Sequence, residues 1–339
     1  MNKYTFNDVL IEPKYSEITS RSTVDISTDL GGVKLNLPII SANMKTITGT
    51  KMAIAMSENG GLGIMHRFNT IDNAVDDYKD FFDILSCTAK KDVDYRWPGV
   101  SIGVQEEDKE RFDKLYEAGA RIFCIDVAHG HHVLVKNMLG YIGLLGLTDI
   151  KVIAGNIATG NAAEDLSQWG ANIVKVGIGP GSVCTTRQRT GVGVPQLSAL
   201  EDVYYRLKVL KSNTKIIADG GIVNIGDIPK ALKYADAVMI GSMFAGTAET
   251  PGNAYRNSEG QYYKVYGGSA SAENKGKNTF VEGMMKTVPF RGKVKYVLRE
   301  IADGIRSAFS YVGANNLTEF KQKCDFIQIT DGGTRESKI

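Results

Sequence analysis

Cysteine is scarce in this sequence, with four residues among 339, namely Cys87, Cys124, Cys184 and Cys324. No two of them form a CxxC pair or show the spacing of metal ligands, which argues against a disulfide framework and a structural zinc site. A reducing compartment is therefore expected. Cys124 lies in the apolar run 122–127, where a lone cysteine ordinarily serves as a small buried hydrophobic residue.

Long apolar runs and an excess of one charge are also missing. No uninterrupted apolar stretch reaches the roughly 18 residues of a membrane span, and the first eight residues, MNKYTFND, lack the apolar core of a secretion signal. Lys and Arg total 40 against 38 for Asp and Glu, so the net charge of +2 gives no support for nucleic acid or anionic membrane as a partner. These absences predict a cytoplasmic protein.

Eight short apolar runs alternate with longer segments of mixed charge and helical spacing. Such alternation predicts parallel βαβ units, and near-continuous apolarity is typical of strands buried on both faces. A doubly wound sheet would alternate in the same way, but eight repeats in about 250 residues favour a (β/α)8 TIM barrel. The predicted strands are 37–42, 63–65, 100–104, 122–127, 152–154, 173–176, 216–218 and 237–240.

Candidate site residues follow these strands at one end. The carboxyl ends of all barrel strands meet on one rim, which is where the functional residues of such barrels lie. Glycines that expose backbone N–H groups after strands 7 and 8 often bind phosphate, and Gly220 with Gly221 and Gly241 with Ser242 occupy those places. The remaining candidates are Asn43, Met44, Lys45, His66, Arg67, Asp126, His129, Asn156, Cys184 and Asp219.

The segment 247–290 breaks the alternation, since it is rich in Gly, Ser, Asn, Lys and Tyr and has no helical stripe. A long irregular segment in a compact domain is usually functional or mobile. Residues 255–266 are predicted to form a hairpin around Glu259 and Gly260, and residues 267–282 a mobile flap over the site. Helical spacing resumes at 294–309. We therefore predict one barrel domain over 1–339, with the hairpin and flap inserted after strand 8.

A glycine-rich loop carries the best candidate nucleophile. Residues 177–190, GIGPGSVCTTRQRT, place Cys184 directly after the predicted strand 173–176. Three glycines allow the backbone to approach a ligand closely while the loop presents the thiol at a strand end. Reactivity further requires that the thiol ionise.

A set of short motifs runs from one end of the chain to the other. They are TFNDVLIEP (5–13), SANM (41–44), AGN (154–156), the Cys184 loop, ADGG (218–221), IGS (240–242), YGGS (266–269), VEG (281–283) and GIRS (304–307). In these motifs the sequence resembles the IMP dehydrogenase/GMP reductase family, in which the loop cysteine bonds covalently to C2 of the purine.

Two absences favour the reductase activity within that family. The resemblance implies that a dehydrogenase would usually carry a pair of regulatory domains inserted after the second strand and a longer flap with an Arg-Tyr pair that activates water. Here only a short segment separates Arg67 from Val100, and no Arg-Tyr pair occurs between Tyr266 and Glu282. An IMP dehydrogenase without regulatory domains and a non-catalytic nucleotide-binding barrel remain alternatives.

The resemblance implies NADPH-dependent reductive deamination of GMP to IMP and ammonia. Cys184 would attack C2, and the leaving amino group would need a proton donor beside it. Thr186 would relay that proton, oriented by the carboxylate of Glu282. A glutamate in such a loop is more often simply solvated, and the VEG motif is what favours Glu282 in this role.

The resemblance also implies the substrate contacts. Asp219 would accept hydrogen bonds from the ribose hydroxyls. Met44 would pack on the purine, although core filling is an equally ordinary role for methionine. The 5′-phosphate would be held by Ser182, Gly220, Gly221, Gly241, Ser242, Gly267, Gly268 and Ser269.

The cofactor contacts implied by the resemblance lie on the same rim. Arg67 would meet the 2′-phosphate of NADPH, and Ser20 with Arg21 resembles a segment that reaches the cofactor of a neighbouring subunit, which implies a homotetramer. Asp126 and Asn156 would border the nicotinamide end, and Val127, Ala128, Ile178 and Gly179 would also contact the cofactor.

Two metal interpretations differ in their support. The carbonyls of Gly179, Gly181 and Cys184 could hold a monovalent cation such as K⁺, as in relatives. His129, His131 and His132 share a loop, lack the i, i+4 spacing of a helical metal pair and have no acidic ligand at a useful distance in the sequence, which disfavours a metal site. His129 is instead expected to line the cofactor site.

Overall fold

A closed barrel of eight parallel strands forms the centre of the protein. The computed structural model describes residues 3–88, 97–268 and 282–336. Its strands are β1 (Val9–Ile11), β2 (Thr28–Asp29), β3 (Lys34–Leu35), β4 (Ile39–Ser41), β5 (Leu62–Met65), β6 (Gly99–Ile102), β7 (Ile122–Asp126), β8 (Lys151–Ile157), β9 (Ile173–Val176), β10 (Lys215–Asp219), β11 (Ala237–Ile240), β12 (Tyr255–Arg256), β13 (Tyr262–Gly267), β14 (Met285–Pro289) and β15 (Phe326–Gln328). Strands β4 to β11 pair in chain order, and β11 pairs with β4 to close the barrel.

The predicted (β/α)8 fold is confirmed, and each of the eight predicted apolar runs overlaps one barrel strand. Every residue of β5, β6, β9 and β11 is buried, as expected for parallel strands covered on both faces. The predicted ends were less accurate. β8 continues three residues past the predicted end at 154, to Ile157 opposite Val176. The prediction ends too early because Gly155 and Asn156 interrupt the apolar run. β4 begins only after Pro38, which has no N–H to donate.

Helices connect the strands and cover the outside of the barrel. The helix 294–311 shows the principle, since its buried residues Val294, Leu298, Ile301, Ile305 and Phe309 recur every three or four positions and form one apolar face. No helix in the part of the chain that the structure describes combines the length and apolarity needed to cross a membrane. The helices are α1 (Thr50–Glu58), α2 (Ile71–Thr88), α3 (Glu106–Glu117), α4 (Val133–Leu144), α5 (Gly160–Gln168), α6 (Thr186–Thr190), α7 (Gln196–Val209), α8 (Asp227–Leu232), α9 (Val294–Tyr311), α10 (Leu317–Lys323) and α11 (Asp331–Glu336).

The hairpin predicted at 255–266 is present. β12 pairs antiparallel with β13, and Tyr255 lies opposite Tyr263. A third strand, β14, adds to the other edge of β13 and was missed by the prediction, because its residues are largely exposed and show no apolar alternation. Of the predicted flap 267–282, positions 269–281 lie outside the described residues.

The two ends of the chain meet in a second small sheet that the sequence did not reveal. β1 pairs antiparallel with β15, with Val9 opposite Gln328. Each strand has three residues and the two are separated by more than 300 positions, so neither carries a periodic signal of its own. The pairing ties both ends of the chain to one place on the barrel.

Shortening a core side chain should measure how strongly the barrel depends on packing. Phe123 of β7 is fully buried, and its ring centroid lies 4.4 Å from that of Phe112 on α3. Phe123→Ala is expected to lower the free energy of unfolding by about 3–5 kcal/mol, because a cavity replaces the ring. Tyr15→Ala, at an 86% exposed position, should change it by less than about 0.5 kcal/mol. Urea denaturation followed by circular dichroism measures both, and equal effects would contradict the prediction.

Candidate active site

A cavity of about 470 Å³ opens at the carboxyl ends of the barrel strands, on the rim where the sequence predicted the site. This volume lies within the range of small-molecule sites. The following predicted residues line it: Met44, Arg67, Asp126, Val127, Ala128, Asn156, Ile178, Gly179, Gly181, Ser182, Cys184, Thr186, Asp219, Gly220, Gly221, Gly241, Ser242, Gly268 and Glu282.

A chain of hydrogen bonds joins the candidate nucleophile to a carboxylate. The thiol of Cys184 donates to Thr186 Oγ1 at 3.1 Å, and the Thr186 hydroxyl donates to Glu282 Oε2 at 2.7 Å. The backbone holds this chain together, because the N–H of Thr185 donates to the carbonyl of Glu282 at 2.8 Å. Three side chains that sequence spacing could only suggest therefore lie in direct contact.

Local geometry explains how the loop presents Cys184. Gly177 follows β9 with a φ of +152°, and a Cβ there would lie 1.9 Å from the carbonyl oxygen of Asp219. Only glycine permits this approach of the loop to the end of β10. After Cys184 the chain forms the short helix α6 (Thr186–Thr190). The next residue, Gly191, caps this helix with a left-handed φ of +72°.

A buried lysine that sequence reasoning missed lies at the base of the cavity. Lys175 belongs to β9, and its ammonium donates to Asp126 Oδ1 at 3.1 Å, to Asp219 Oδ2 at 2.9 Å and to Asn156 Oδ1. Its side chain is only 2% exposed. The apolar run 173–176 contains this one lysine, and a lysine inside a strand buried on both faces indicates that it needs buried acceptors.

Electrostatics keeps the buried ion group charged. Burial alone would raise the pKa of the Asp126 carboxyl, but Lys175 and Arg67 outweigh it, and the pKa lies below its usual value. Burial alone would lower the pKa of Lys175, but Asp219 and Asp126 outweigh it and raise that pKa. The ammonium and the Asp126 carboxylate therefore remain ionised at neutral pH.

Comparisons with known proteins identify the family. The sequence model described as the IMP dehydrogenase / GMP reductase domain matches residues 3–339. The chain belongs to the IMP dehydrogenase / GMP reductase family. It is 39% identical to a GMP reductase of Acidovorax ebreus (strain TPSY), with 95% of each chain covered, and 40% identical to one of Oenococcus oeni (strain ATCC BAA-331 / PSU-1), with 94% of each covered. The members named in these comparisons are oxidoreductases that use a nicotinamide cofactor.

Two further relatives bear on the fold and on the second activity of the family. An inosine-5′-monophosphate dehydrogenase of Nitrosopumilus maritimus (strain SCM1) is 32% identical over 98% of this chain and 97% of its own. The crystal structure of a GMP reductase variant from Trypanosoma brucei in complex with guanosine 5′-monophosphate is similar with a TM-score of 0.89 and 28% identity, covering 100% of this chain and 98% of the other. The similarity therefore extends over the whole barrel.

Arg67, two residues after β5, lies on the cavity wall. Its Nε donates to the carbonyl of Asp126 at 3.3 Å, and its guanidinium carbon lies 5.4 Å from the Phe68 ring centroid. His66 does not line the cavity. Burial, followed by the charges of Lys45 and Arg111, lowers the pKa of His66 to about 4, so its ring is neutral at pH 7 and accepts the Phe68 N–H at Nδ1.

A tyrosine on the hairpin also reaches the cavity. Tyr266 of β13 lines it together with Met44 and Gly241. A Cβ at Gly241 would lie 3.1 Å from both Met44 Sδ and Tyr266 Oη, so glycine at this position preserves the space between them. Burial raises the pKa of Tyr266, against a hydrogen bond with Ser182 that lowers it. The YGGS motif was noticed in the sequence, but its tyrosine was not predicted to line the site.

Several predicted site residues are not brought to this cavity. Ser20 caps the short 3₁₀ helix Arg21–Thr23, and the Arg21 guanidinium lies 5.5 Å from the Tyr311 ring centroid. Neither residue lines the chain's own cavity. Gly267 does not line the wall, and its N–H donates to Thr46 Oγ1 at 3.1 Å. Ser269 lies outside the described residues.

The loop histidines also lie apart from the cavity wall. His129, expected to line the site, is exposed, and His132 instead accepts the Leu134 N–H at the start of α4. His131 Nε2 lies 2.7 Å from Asp165 Oδ2. Within 3–88, 97–268 and 282–336, no group of three or more His, Cys, Asp or Glu side chains is arranged to hold a metal ion.

The glycine carbonyls predicted to hold a monovalent cation lie beside an arginine. The carbonyl of Gly181 accepts the Cys184 N–H at 3.0 Å. The Arg187 guanidinium donates to the carbonyls of Ile178 and Val194. Gly179 has a φ of +83°, and a Cβ there would lie 2.6 Å from Arg187 Cγ. Backbone oxygens are suitable K⁺ ligands. The positively charged side chain of Arg187, however, already borders the loop that carries them.

The four cysteines should differ sharply in reactivity. Burial raises the pKa of both Cys124 and Cys324 to about 12, whereas Cys87 is exposed and Cys184 is half-buried on the cavity wall. Iodoacetamide at pH 8 is expected to modify Cys184 and Cys87 in the folded protein and to leave the other two unmodified, because only thiolates react. Peptide mass spectrometry of timed samples measures this, with urea-unfolded protein as the control in which all four react. Alkylation of folded Cys124 as fast as Cys184 would contradict it.

Proposed function

We propose that the protein is a GMP reductase that converts GMP to IMP and ammonia with NADPH through a covalent bond between Cys184 and the purine. The observation that carries the proposal is the hydrogen-bonded chain from Cys184 through Thr186 to Glu282, with steps of 3.1 and 2.7 Å on the wall of the cavity. Two of its sequence relatives support the direction, since the GMP reductases of Acidovorax ebreus and Oenococcus oeni are 39% and 40% identical, whereas the dehydrogenase of Nitrosopumilus maritimus is 32% identical.

In the first step a proton must leave the Cys184 thiol before it attacks C2, and a proton must then reach the leaving amino group. The thiol proton passes to Thr186 while the proton of Thr186 passes to Glu282, which leaves a thiolate at Cys184 and a protonated carboxyl at Glu282. The thiolate then forms a bond to C2 of GMP. The Thr186 hydroxyl then gives its proton to the 2-amino group while Glu282 returns a proton to Thr186, so that the C2–N bond breaks and ammonia leaves.

The second step replaces the lost amino group by hydrogen. NADPH, when bound, supplies the hydride that C2 requires. The C2–S bond then breaks, IMP is released and Cys184 regains its thiolate. Val127, Ala128 and Ile178 border the cavity beside the Cys184 loop and offer the apolar and backbone surface that a nicotinamide ring needs, together with Asp126, Asn156 and Gly179.

Substrate binding is proposed on the opposite part of the wall. Asp219 accepts hydrogen bonds from the ribose hydroxyls, and Met44 packs against the purine. The 5′-phosphate binds backbone N–H groups and hydroxyls at the ends of β10 and β11, where parallel barrels commonly hold phosphate. The residues proposed for it are Ser182, Gly220, Gly221, Gly241, Ser242 and Gly268.

The remaining features of the proposal concern assembly and cofactor choice. Arg67 binds the 2′-phosphate of NADPH, and Ser20 with Arg21 reaches the cofactor of a neighbouring subunit in a homotetramer. Gly179, Gly181 and Cys184 contribute carbonyls to a K⁺ site.

The chain is one cytoplasmic catalytic domain without inserted regulatory domains. The alignment with the Nitrosopumilus maritimus dehydrogenase supports this last point, since it runs over 469 positions and so exceeds the 339 residues here.

The direction of the reaction tests the proposal. With GMP and NADPH the protein is expected to consume NADPH and release ammonia, because the Thr186 and Glu282 pair serves an amine leaving group. With IMP and NAD⁺ it is expected to form no XMP. Absorbance at the nicotinamide band, an ammonia assay and chromatography of the nucleotides measure both. Robust XMP formation would instead favour the alternative, an IMP dehydrogenase, which is the other activity of this family.

Single substitutions in the hydrogen-bonded chain should separate its roles. Cys184→Ala is expected to abolish turnover while GMP still binds, because other residues hold the ribose and phosphate. Thr186→Val and Glu282→Gln are expected to lower kcat by roughly 10²–10⁴-fold, the usual contribution of a proton relay. Cys124→Ala, at a buried cysteine outside the cavity, is the control that keeps activity. Steady-state kinetics with calorimetric GMP binding measures the set, and turnover by Cys184→Ala would exclude covalent catalysis there.

A further inference from the structure

One ammonium group joins the proposed substrate side of the cavity to the proposed cofactor side. Lys175 Nζ contacts Asp219 Oδ2 at 2.9 Å and Asp126 Oδ1 at 3.1 Å, and it also donates to Asn156 Oδ1. A lysine ammonium has three protons and no acceptor, so these three partners use all of its donors. The partners come from β7, β8 and β10, while Lys175 lies on β9.

The arrangement fixes the two carboxylates relative to one another. Asp219 Oδ2 also accepts the Asn156 amide at 2.8 Å, and that amide donates to the carbonyl of Gly177 at 2.7 Å. With the ammonium removed, the two carboxylates would lose the cation that contacts both of them, and Arg67 would still act on Asp126 alone. Such a pair repels, and one member moves away or takes up a proton. The contacts of Lys175 therefore hold Asp126 and Asp219 in place relative to one another.

We propose that Lys175 is a positioning residue that orients Asp219 toward the ribose and, through the same ammonium, holds Asp126 at the nicotinamide end, so that the two binding sites share one support. The inference rests on the proposed function for the identity of the two ligands. Lys175 itself is nearly inaccessible, with 2% of its side chain exposed, so it acts through the carboxylates and does not grip either ligand. Its removal should therefore weaken recognition of the ribose hydroxyls specifically and lower cofactor affinity at the same time.

The chain offers a matched control for a buried lysine. Lys264 of β13 is 3% exposed, and its ammonium donates to the backbone carbonyls of Thr247 and Thr250. It does not line the cavity. Lys264→Met removes the same buried charge as Lys175→Met without touching a carboxylate of the site, so it reports what a purely structural loss does to binding.

Calorimetric titrations with GMP, with 2′,3′-dideoxy-GMP and with NADP⁺ test the inference. Parent protein and Lys264→Met are expected to prefer GMP over the dideoxy analogue by the same ratio of Kd values. In Lys175→Met this ratio is expected to fall by roughly 10-fold or more, since a charge-assisted hydrogen bond is lost, and the affinity for NADP⁺ is expected to fall too. Partial unfolding lowers the number of binding sites but leaves this ratio unchanged, so the ratio separates positioning from stability.

Each outcome has a definite meaning. An unchanged ratio in folded Lys175→Met overturns the inference, and so does a ratio that falls equally in Lys264→Met. Absence of GMP binding by the parent protein would overturn the proposed function instead, which keeps the two failures distinct. If circular dichroism shows that Lys175→Met does not fold, Lys175→Met with Asp126→Asn removes the buried repulsion, and the ratio in that variant decides the question in the same way.

Discussion

Closure of the parallel sheet is the constraint on which the rest of the structure depends. β11 pairs with β4 through Val238 opposite Ile39, so the sheet has no free edge within the barrel. Closure brings the carboxyl ends of all eight strands to one rim. The Cys184 loop after β9, Asp219 at the end of β10 and Gly241 after β11 therefore surround a single cavity, although they are separated by many positions in the sequence.

Closure also creates the low-polarity interior in which the ion group of Lys175 has its effect. In water, a lysine between two aspartates would be screened and would hold neither firmly. Within the barrel the side chain of Lys175 is 2% exposed and those of Asp126 and Asp219 are 15% and 21% exposed, so solvent screens their interaction less, and Asn156 hydrogen-bonds to both Lys175 and Asp219. An interaction with little value at the surface becomes a rigid support for the cavity wall.

Reactivity at Cys184 depends on contacts made long after it in the chain. The N–H of Thr185 donates to the carbonyl of Glu282, and the N–H of Met284 donates to the carbonyl of Val183 at 2.9 Å. These bonds carry the Glu282 carboxylate to Thr186. The proposed nucleophile and its proposed proton acceptor thus belong to two segments joined by backbone pairing, and the proposed chemistry requires that pairing.

The sequence by itself determined the barrel, the number and order of its strands, and the location of the Cys184 loop on the rim. Parallel strands buried on both faces must be apolar throughout, and the loop needs glycine where backbones meet, so both leave direct marks in the sequence. Tertiary structure decided what has no such mark. The pairing of β1 with β15, the third strand β14, the reach of Tyr266 into the cavity and the position of Arg21 away from it all depend on distant contacts. Lys175 shows the difference most clearly. The apolar neighbours of Lys175 predict its strand, whereas its three partners come from other strands and contact it only when the barrel closes.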